Sequence, residues 1–435
     1  MKKNNGKKVM KVLGIILVIF VIIGVAGTIA NKFYIKNTLE YVKTFSSATP
    51  QDKLTVEVDT DGYYTIISDR DVKVLQLTDI HLGGGWMSKK DDLKTINAVA
   101  SMVIAEKPDI VIATGDISYP IPFTAGTFNN QYAARIFATL METLGVHWTP
   151  TFGNHDSEIY SIYNREKMGE FYSSDEWKNC LFLMGDENVD GFGNNVIKVK
   201  NSDNIITQAF ITMDSNDYPQ DNKFAGIVAG LTGNYDNIHE NQIQWYKTTC
   251  EKLNEENTKF IESKYADNEK SEMLSKYGTV KSLVFMHIPP VEYQTAWDEF
   301  KANGYKDTEN VKYYYGTLGE NVCHPRNDDQ FFETALELGS TQGMFVGHDH
   351  INIFSIDYKG IRLTYGMSID YVAYGKIDTK GTQRGCTVIT VKPDGTFDCY
   401  PENYYQDKYQ NPDKEQVTMQ QLNEEFNGYI QKGEW

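Results

Sequence analysis

Residues 146–156 read VHWTPTFGNHD. A short strand-like run, Val146 to Phe152, ends in Gly153-Asn154-His155-Asp156, a cluster for which a hydrophobic core has no use. The same transition occurs four more times. Val74 to Leu77 runs into Thr78-Asp79-Ile80-His81, and Ile110 to Ala113 into Thr114-Gly115-Asp116. Leu283 to Met286 runs into His287-Ile288-Pro289-Pro290, and Met344 to Val346 into Gly347-His348-Asp349-His350. Several runs are apolar on both faces, as strands covered on both sides should be. Between them lie helical patterns. Asp92 to Ala105 carries Leu93, Ile96, Val99, Ala100 and Val103 at helical spacing, and Tyr132 to Leu144 and Ile238 to Leu253 read similarly. That alternation predicts an α/β fold. In open α/β sheets ligands bind at the carboxyl ends of strands. Asp, Asn and His at five such ends suit a divalent metal. Glycine before Asp116, Asn154 and His348 lets the backbone turn and approach an ion. Each cluster alone is weak; five in this order, holding five of the eight histidines, are not a chance grouping.

As a set, Asp-x-His, Gly-Asp, Gly-Asn-His-Asp, His and Gly-His-x-His resembles the calcineurin-like metallophosphoesterase superfamily over residues 72–366. The resemblance implies a four-layer αββα sandwich and a dinuclear metal centre. By position, one metal would be held by Asp79, His81 and His350, the second by Asn154, His287 and His348, with Asp116 bridging. His155 would face the substrate, oriented by Asp156. Gly115-Asp116-Ile117-Ser118-Tyr119 also resembles a purple acid phosphatase block in which the tyrosine binds iron. Those proteins have glycine where His81 stands here, so Tyr119 is expected to pack or line the cleft.

The implied chemistry is hydrolysis of a small phosphate monoester. Two divalent cations, expected to be Mn, Fe or Zn although the donors also admit Co or Ni, would generate hydroxide near neutral pH, and His155 would protonate the leaving alcohol. The same ligands also serve phosphodiesterases acting on cyclic nucleotides or other small diesters. A non-catalytic, membrane-anchored sensor of the same fold would be expected to have lost ligands, whereas every motif position is filled here.

The 435 residues carry a net charge of −17, unevenly placed. Residues 1–36 hold seven lysines and no acid, leaving 35 bases against 59 acids, or −24, in the remainder. So acidic a body lacks the basic footprint that nucleic acid requires. Val12 to Ala30 is a 19-residue uncharged apolar run. As a helix it spans about 28 Å, close to a bilayer core and longer than a usual signal-peptide segment. The lysines before it predict a single-pass anchor in the cell membrane with the body extracytoplasmic, or a secreted body if the segment is cleaved.

The expected organisation is a basic stub and membrane segment over 1–30, a polar tether over 31–53, and a catalytic body over 54–435. Hairpin turns at Asp357-Tyr358-Lys359-Gly360 and Pro393-Asp394-Gly395 mark terminal strands. Met419, Leu422, Phe426 and Ile430 predict an amphipathic helix capped by Thr418. The five cysteines are scattered and read as small buried hydrophobes. Gly83-Gly84-Gly85-Trp86 reads as a turn that could also bring an indole to the substrate rim. Arg165, Arg326 and Arg362 are candidate phosphate clamps.

Overall fold

The structure, a computed structural model, describes residues 3–410 apart from 51, 220–234, 327, 375–376 and 378–383. Two sheets organise it. The first runs β14 (Phe397–Asn403), β13 (Gly385–Val391), β3 (Val72–Leu77), β4 (Ile110–Thr114), β5 (His147–Thr151). The second has nine strands. They lie in the order β1 (Thr55–Val58), β2 (Tyr64–Ile67), β6 (Asn195–Lys200), β7 (Ile206–Thr212), β8 (Ser282–Phe285), β10 (Thr341–Val346), β12 (Ile361–Tyr365), β11 (Ile353–Tyr358), β9 (Val311–Thr317).

The doubly apolar strands explain why the sheets stack. Successive side chains point to opposite faces. In β3, Val72 and Val74 enter the core between the sheets, while Leu75 and Leu77 enter the core beneath the helices. Ile110 and Ile112 of β4 alternate with Val111 and Ala113 in the same way. Leu283 and Phe285 of β8 face the other sheet, and Val284 faces the opposite helix layer. Three cores therefore separate four layers, the αββα sandwich expected. One outer layer comprises α2 (Lys89–Glu106), α3 (Pro122–Ala125), α4 (Asn130–Leu144) and α5 (Arg165–Tyr172). The other comprises α6 (Glu240–Lys264), α7 (Asp267–Tyr277), α8 (Glu292–Ala302) and α9 (Phe331–Leu338).

The N-terminal helix α1 (Lys3–Val42) corrects the expected tether. Met10–Val42 is long and apolar enough to cross a membrane, and its most apolar window is wholly unburied. Rather than ending near Ala30, the helix continues and docks on the body. Asn31, Tyr34, Thr38 and Val42 recur every three or four residues and are buried, a one-sided stripe packed beside α4. Asn31 Nδ2 donates to Gly126 O at 2.8 Å, Trp86 N donates to Asn31 Oδ1 at 2.9 Å, and the Tyr34 hydroxyl donates to Asp92.

All five cysteines are free; Cys323 is partly exposed and the rest are buried. Cys386 stands opposite Glu402, and Cys399 opposite Ile389, so β13 and β14 do not juxtapose the two thiols. The segment after Pro290 is built into the fold: α8 covers a core and β9 pairs with β11. The C-terminal amphipathic pattern at Met419 to Ile430 lies outside the described residues.

Candidate metal centre

Parallel pairing of β3–β4–β5 and of β8–β10 brings the five polar strand ends to one edge of the sandwich. The sheets are tied there. Gln76 Nε2 donates to Thr114 Oγ1 at 2.9 Å and across to Val346 O at 3.0 Å. Four of the clustered residues leave their strands with left-handed backbone: Asp79 at φ 47°, His81 at 47°, Asp116 at 52° and His348 at 76°. Such conformations cost non-glycine residues on the order of 1–3 kcal/mol each and cluster at functional sites. Gly153 is demanded by proximity, because a Cβ there would run into the Asp116 carboxylate.

The side chains converge on Asp116. Its Oδ2 lies 3.2 Å from His81 Nε2 and 3.1 Å from His287 Nε2, and its Oδ1 accepts from His155 N at 2.8 Å. One ligand group consists of Asp79, His81, Asp116 and His350, with donor atoms all within 4.8 Å of one another. A second consists of Asp116, His287 and His348 on the same criterion, so the groups share one carboxylate. Among the described residues Asn154 Oδ1 and His348 Nε2 are buried with no hydrogen-bond partner, and His287 Nε2 faces the Asp116 carboxylate. Two unpartnered buried acceptors, with an imidazole nitrogen turned to a buried carboxylate beside them, fit a cation, since leaving such groups bare is costly. The residues present therefore fit a pair of divalent metals.

Tautomers are set from behind. His287 Nδ1 lies 2.8 Å from Thr114 O and donates to it, freeing Nε2 to ligate. Asp370 Oδ2 lies 3.2 Å from His81 Nδ1 and 3.3 Å from His350 Nδ1. Asp370 was not singled out in the sequence. Its signal is there: β12 is a further buried strand, and it runs into Gly366-Met367-Ser368-Ile369-Asp370.

Burial works against ionisation of Asp116, but the His287 and His155 charges, with hydrogen bonds from His287 and His81, hold its carboxyl well below the usual range. Asp370 is likewise buried and likewise held low, by His81 and His350. Burial pushes the Tyr119 phenol up to about 12, helped by the charges of Asp370 and Asp116. Its ring packs 5.1 Å from His81 and 4.9 Å from His155.

The expected pairing of Asp156 with His155 is not the one present. The Asp156 carboxylate accepts from the backbone N–H groups of Asp116, Ser118 and Gly153, each at 2.9 Å. It ties the β4 and β5 loops together. Burial and the Asp116 charge raise its carboxyl to about 6, against the N–H groups of Gly153 and Ser118. His155 Nδ1 instead meets Glu158 Oε1 at 2.9 Å. Tyr218 joins this pair to the ligands, donating to Glu158 Oε1 at 3.1 Å and accepting from Asn154 Nδ2 at 3.2 Å. Nothing in local spacing marks Tyr218, which reaches the centre only through the stacking of the two sheets.

Two of the three arginines are engaged elsewhere. Arg165 is held by Asp214, by Asp217 at 3.1 Å and by Gly153 O at 2.9 Å. Arg362 is held by Asp398 at 2.9 Å, Ser355 and Cys399 O.

A four-layer sandwich with this ligand set on its strand ends is the arrangement of a metallophosphoesterase. Residues 72–352 match the calcineurin-like phosphoesterase family, and the chain belongs to it. It is 27% identical over 326 residues to "Probable inactive purple acid phosphatase 14" of Arabidopsis thaliana, covering 71% of this chain and 73% of that one. It is 26% identical over 341 residues to "Probable inactive purple acid phosphatase 29" of the same plant, covering 73% of this chain and 76% of that one. A crystal structure of a dimetal phosphatase from Danio rerio shares 11% identity, with a TM-score of 0.41 over 77% of this chain and 99% of that chain.

Proposed function

We propose that this chain is a membrane-anchored, extracytoplasmic phosphoesterase that hydrolyses phosphate monoesters. One observation carries the reading. Six of the seven expected ligands fall into two groups that share Asp116, and the buried acceptors Asn154 Oδ1 and His348 Nε2 have no partner among the described residues. That complete set supports activity in this chain, although three plant relatives bear "inactive" in their names.

Asp79, His81 and His350 would hold one divalent cation, Asn154, His287 and His348 the other, and Asp116 both. Bound there, the pair would neutralise phosphate charge and acidify water. The chain's own groups do the rest. Asp370 and Thr114 O orient the imidazoles. His155, one-quarter exposed at the edge of the centre, donates a proton to the leaving alcohol, and Glu158 at its Nδ1 stabilises the imidazolium before transfer. Asp156 keeps the loops bearing Asp116 and His155 in register.

The test is metal analysis of the purified full-length chain with a panel of mono- and diesters. Two divalent ions per chain and preferential monoester turnover are expected, both lost in Asp116→Asn. Both sites filled without hydrolysis would refute the reading, and preferential diester turnover would replace monoesters with diesters.

A further inference from the structure

The loops that supply the metal ligands do not end in polar rims. After His81 the chain reaches Trp86 and Met87; after Asp116 it reaches Phe123 and Phe128; after Asn154 it reaches Ile159 and Ile162. All six are exposed, Phe123 by 91% and Ile162 by 60%. Outside α1 only three other large hydrophobic side chains are exposed among the described residues: Val58, Tyr314 and Tyr400. The same loops are uncharged over 82–88, 117–134 and 159–164, although 23% of the chain is charged.

The position of this apolar face is set by α1. Asn31 is the first polar residue after the apolar run, and it bonds Trp86 N and Gly126 O. Beside it, a groove of about 700 Å³ separates Ile23, Gly24 and Gly27 of α1 from Met87, Phe128 and Ile162. The face thus stands level with the end of a bilayer-length helix, at the depth where tryptophan and other amphipathic groups settle. The metal centre is close behind it. Ile159 lies four positions after His155, and Phe123 four after Tyr119, at most about 14 Å of extended chain in each case.

We infer that this face lies in the headgroup region of the bilayer that holds α1, and that the centre acts on lipid phosphate monoesters presented there. The inference rests on the phosphoesterase reading and names its substrate class. Hydrolysis breaks the bond between phosphorus and the lipid oxygen, adds the water oxygen to phosphorus, and transfers a proton to the lipid alcohol. Inorganic phosphate leaves into water and the alcohol stays in the membrane. An uncharged rim suits this task, because a body at −24 would otherwise be repelled by an anionic surface.

The test reconstitutes the full-length chain in phosphatidylcholine vesicles and has two arms. Acyl-brominated phosphatidylcholine should quench a fluorescence component that disappears in Trp86→Phe. Equal quenching in both proteins would overturn membrane apposition and point to a second copy or another protein on this face. The second arm compares dioleoylphosphatidic acid in the vesicles with soluble p-nitrophenyl phosphate. Replacing Phe123 and Ile162 together by serine should lower lipid turnover on the order of tenfold, with soluble turnover unchanged. Loss of both activities in parallel, or of neither, would overturn the lipid substrate. A metal-loaded wild type that hydrolyses neither ester would refute the phosphoesterase reading itself, while the quenching arm still decides where the face lies.

Discussion

Asp370 Oδ2 lies 3.2 Å from His81 Nδ1 and 3.3 Å from His350 Nδ1, so one buried carboxylate orients two imidazoles of a single ligand group. Removing such a partner weakens metal binding by about 10–100-fold. Asp370→Asn is expected to do so for one of the two ions, leaving the group of Asp116, His287 and His348 loaded. Metal titration by calorimetry would show two classes of site where the parent shows two tight ones. Unchanged affinity at both sites would remove Asp370 from the centre.

His155 and Glu158 form the second testable pair. Loss of a general acid costs about 10²–10⁴-fold in turnover. His155→Ala should fall within that range on a poor leaving group and less on p-nitrophenyl phosphate, whose alcohol leaves without a proton. Metal content should not change. Glu158→Gln should show a smaller loss in the same leaving-group pattern, whereas a uniform loss on all esters would argue for a positioning fault.

Gly153 touches the shared carboxylate so closely that a methyl group has no room. Gly153→Ala should therefore displace Asp116 and lower metal stoichiometry below two, while far-ultraviolet circular dichroism stays native. Retention of both ions would show that the loop yields without moving Asp116.

Far from the centre, His239 precedes α6 and contacts Asp190 at 2.7 Å and Asp236 at 3.2 Å. The hydrogen bond to Asp236, and then that to Asp190, outweigh burial and raise its pKa to about 9. A raised folded-state value means that the native chain binds the proton more tightly than the unfolded one. This stabilisation is complete below the unfolded value near 6.5 and is lost as pH rises through about 9. The melting temperature of the wild type relative to His239→Gln should thus narrow between pH 6.5 and 9.5. A constant difference would exclude the linkage.

The docked end of α1 predicts a length effect. A chain starting at residue 31 keeps Asn31, Tyr34 and Val42 against the body; one starting at residue 43 exposes their pocket and leaves Asp92 without the Tyr34 hydroxyl. Burial of side chains of this size is worth about 1.5–3 kcal/mol each. The shorter chain should melt at least about 5 °C lower by calorimetry. Equal melting temperatures would return residues 31–42 to the role of a tether.

The ligand positions were legible because metal chemistry and strand geometry leave local marks. Asp, Asn and His behind glycine at the end of an apolar run have few other uses, and the alternation of Val72 to Leu77 shows both faces buried. Asp370 left the same mark more faintly, without a histidine beside it. Adjacency points to Asp156 as the partner of His155 whereas the structure pairs it with Glu158, because adjacency in sequence says little about which carboxylate a ring turns toward. In the 3-10 turn His155–Ser157, the Asp156 side chain faces back to three backbone N–H groups and the i+3 residue faces the imidazole.

What the sequence by itself determined was the run of strands, the donor set and the apolar N-terminal helix, all properties of short segments and their periodicity. Tertiary structure alone decided which donors share Asp116, which groups set the tautomers, and where α1 meets the body. Those relations join residues up to about 290 apart, such as His81 and Asp370, and they arise from stacking two sheets whose strand ends meet at one edge. No local pattern encodes that meeting, because it follows from packing three separate cores at once.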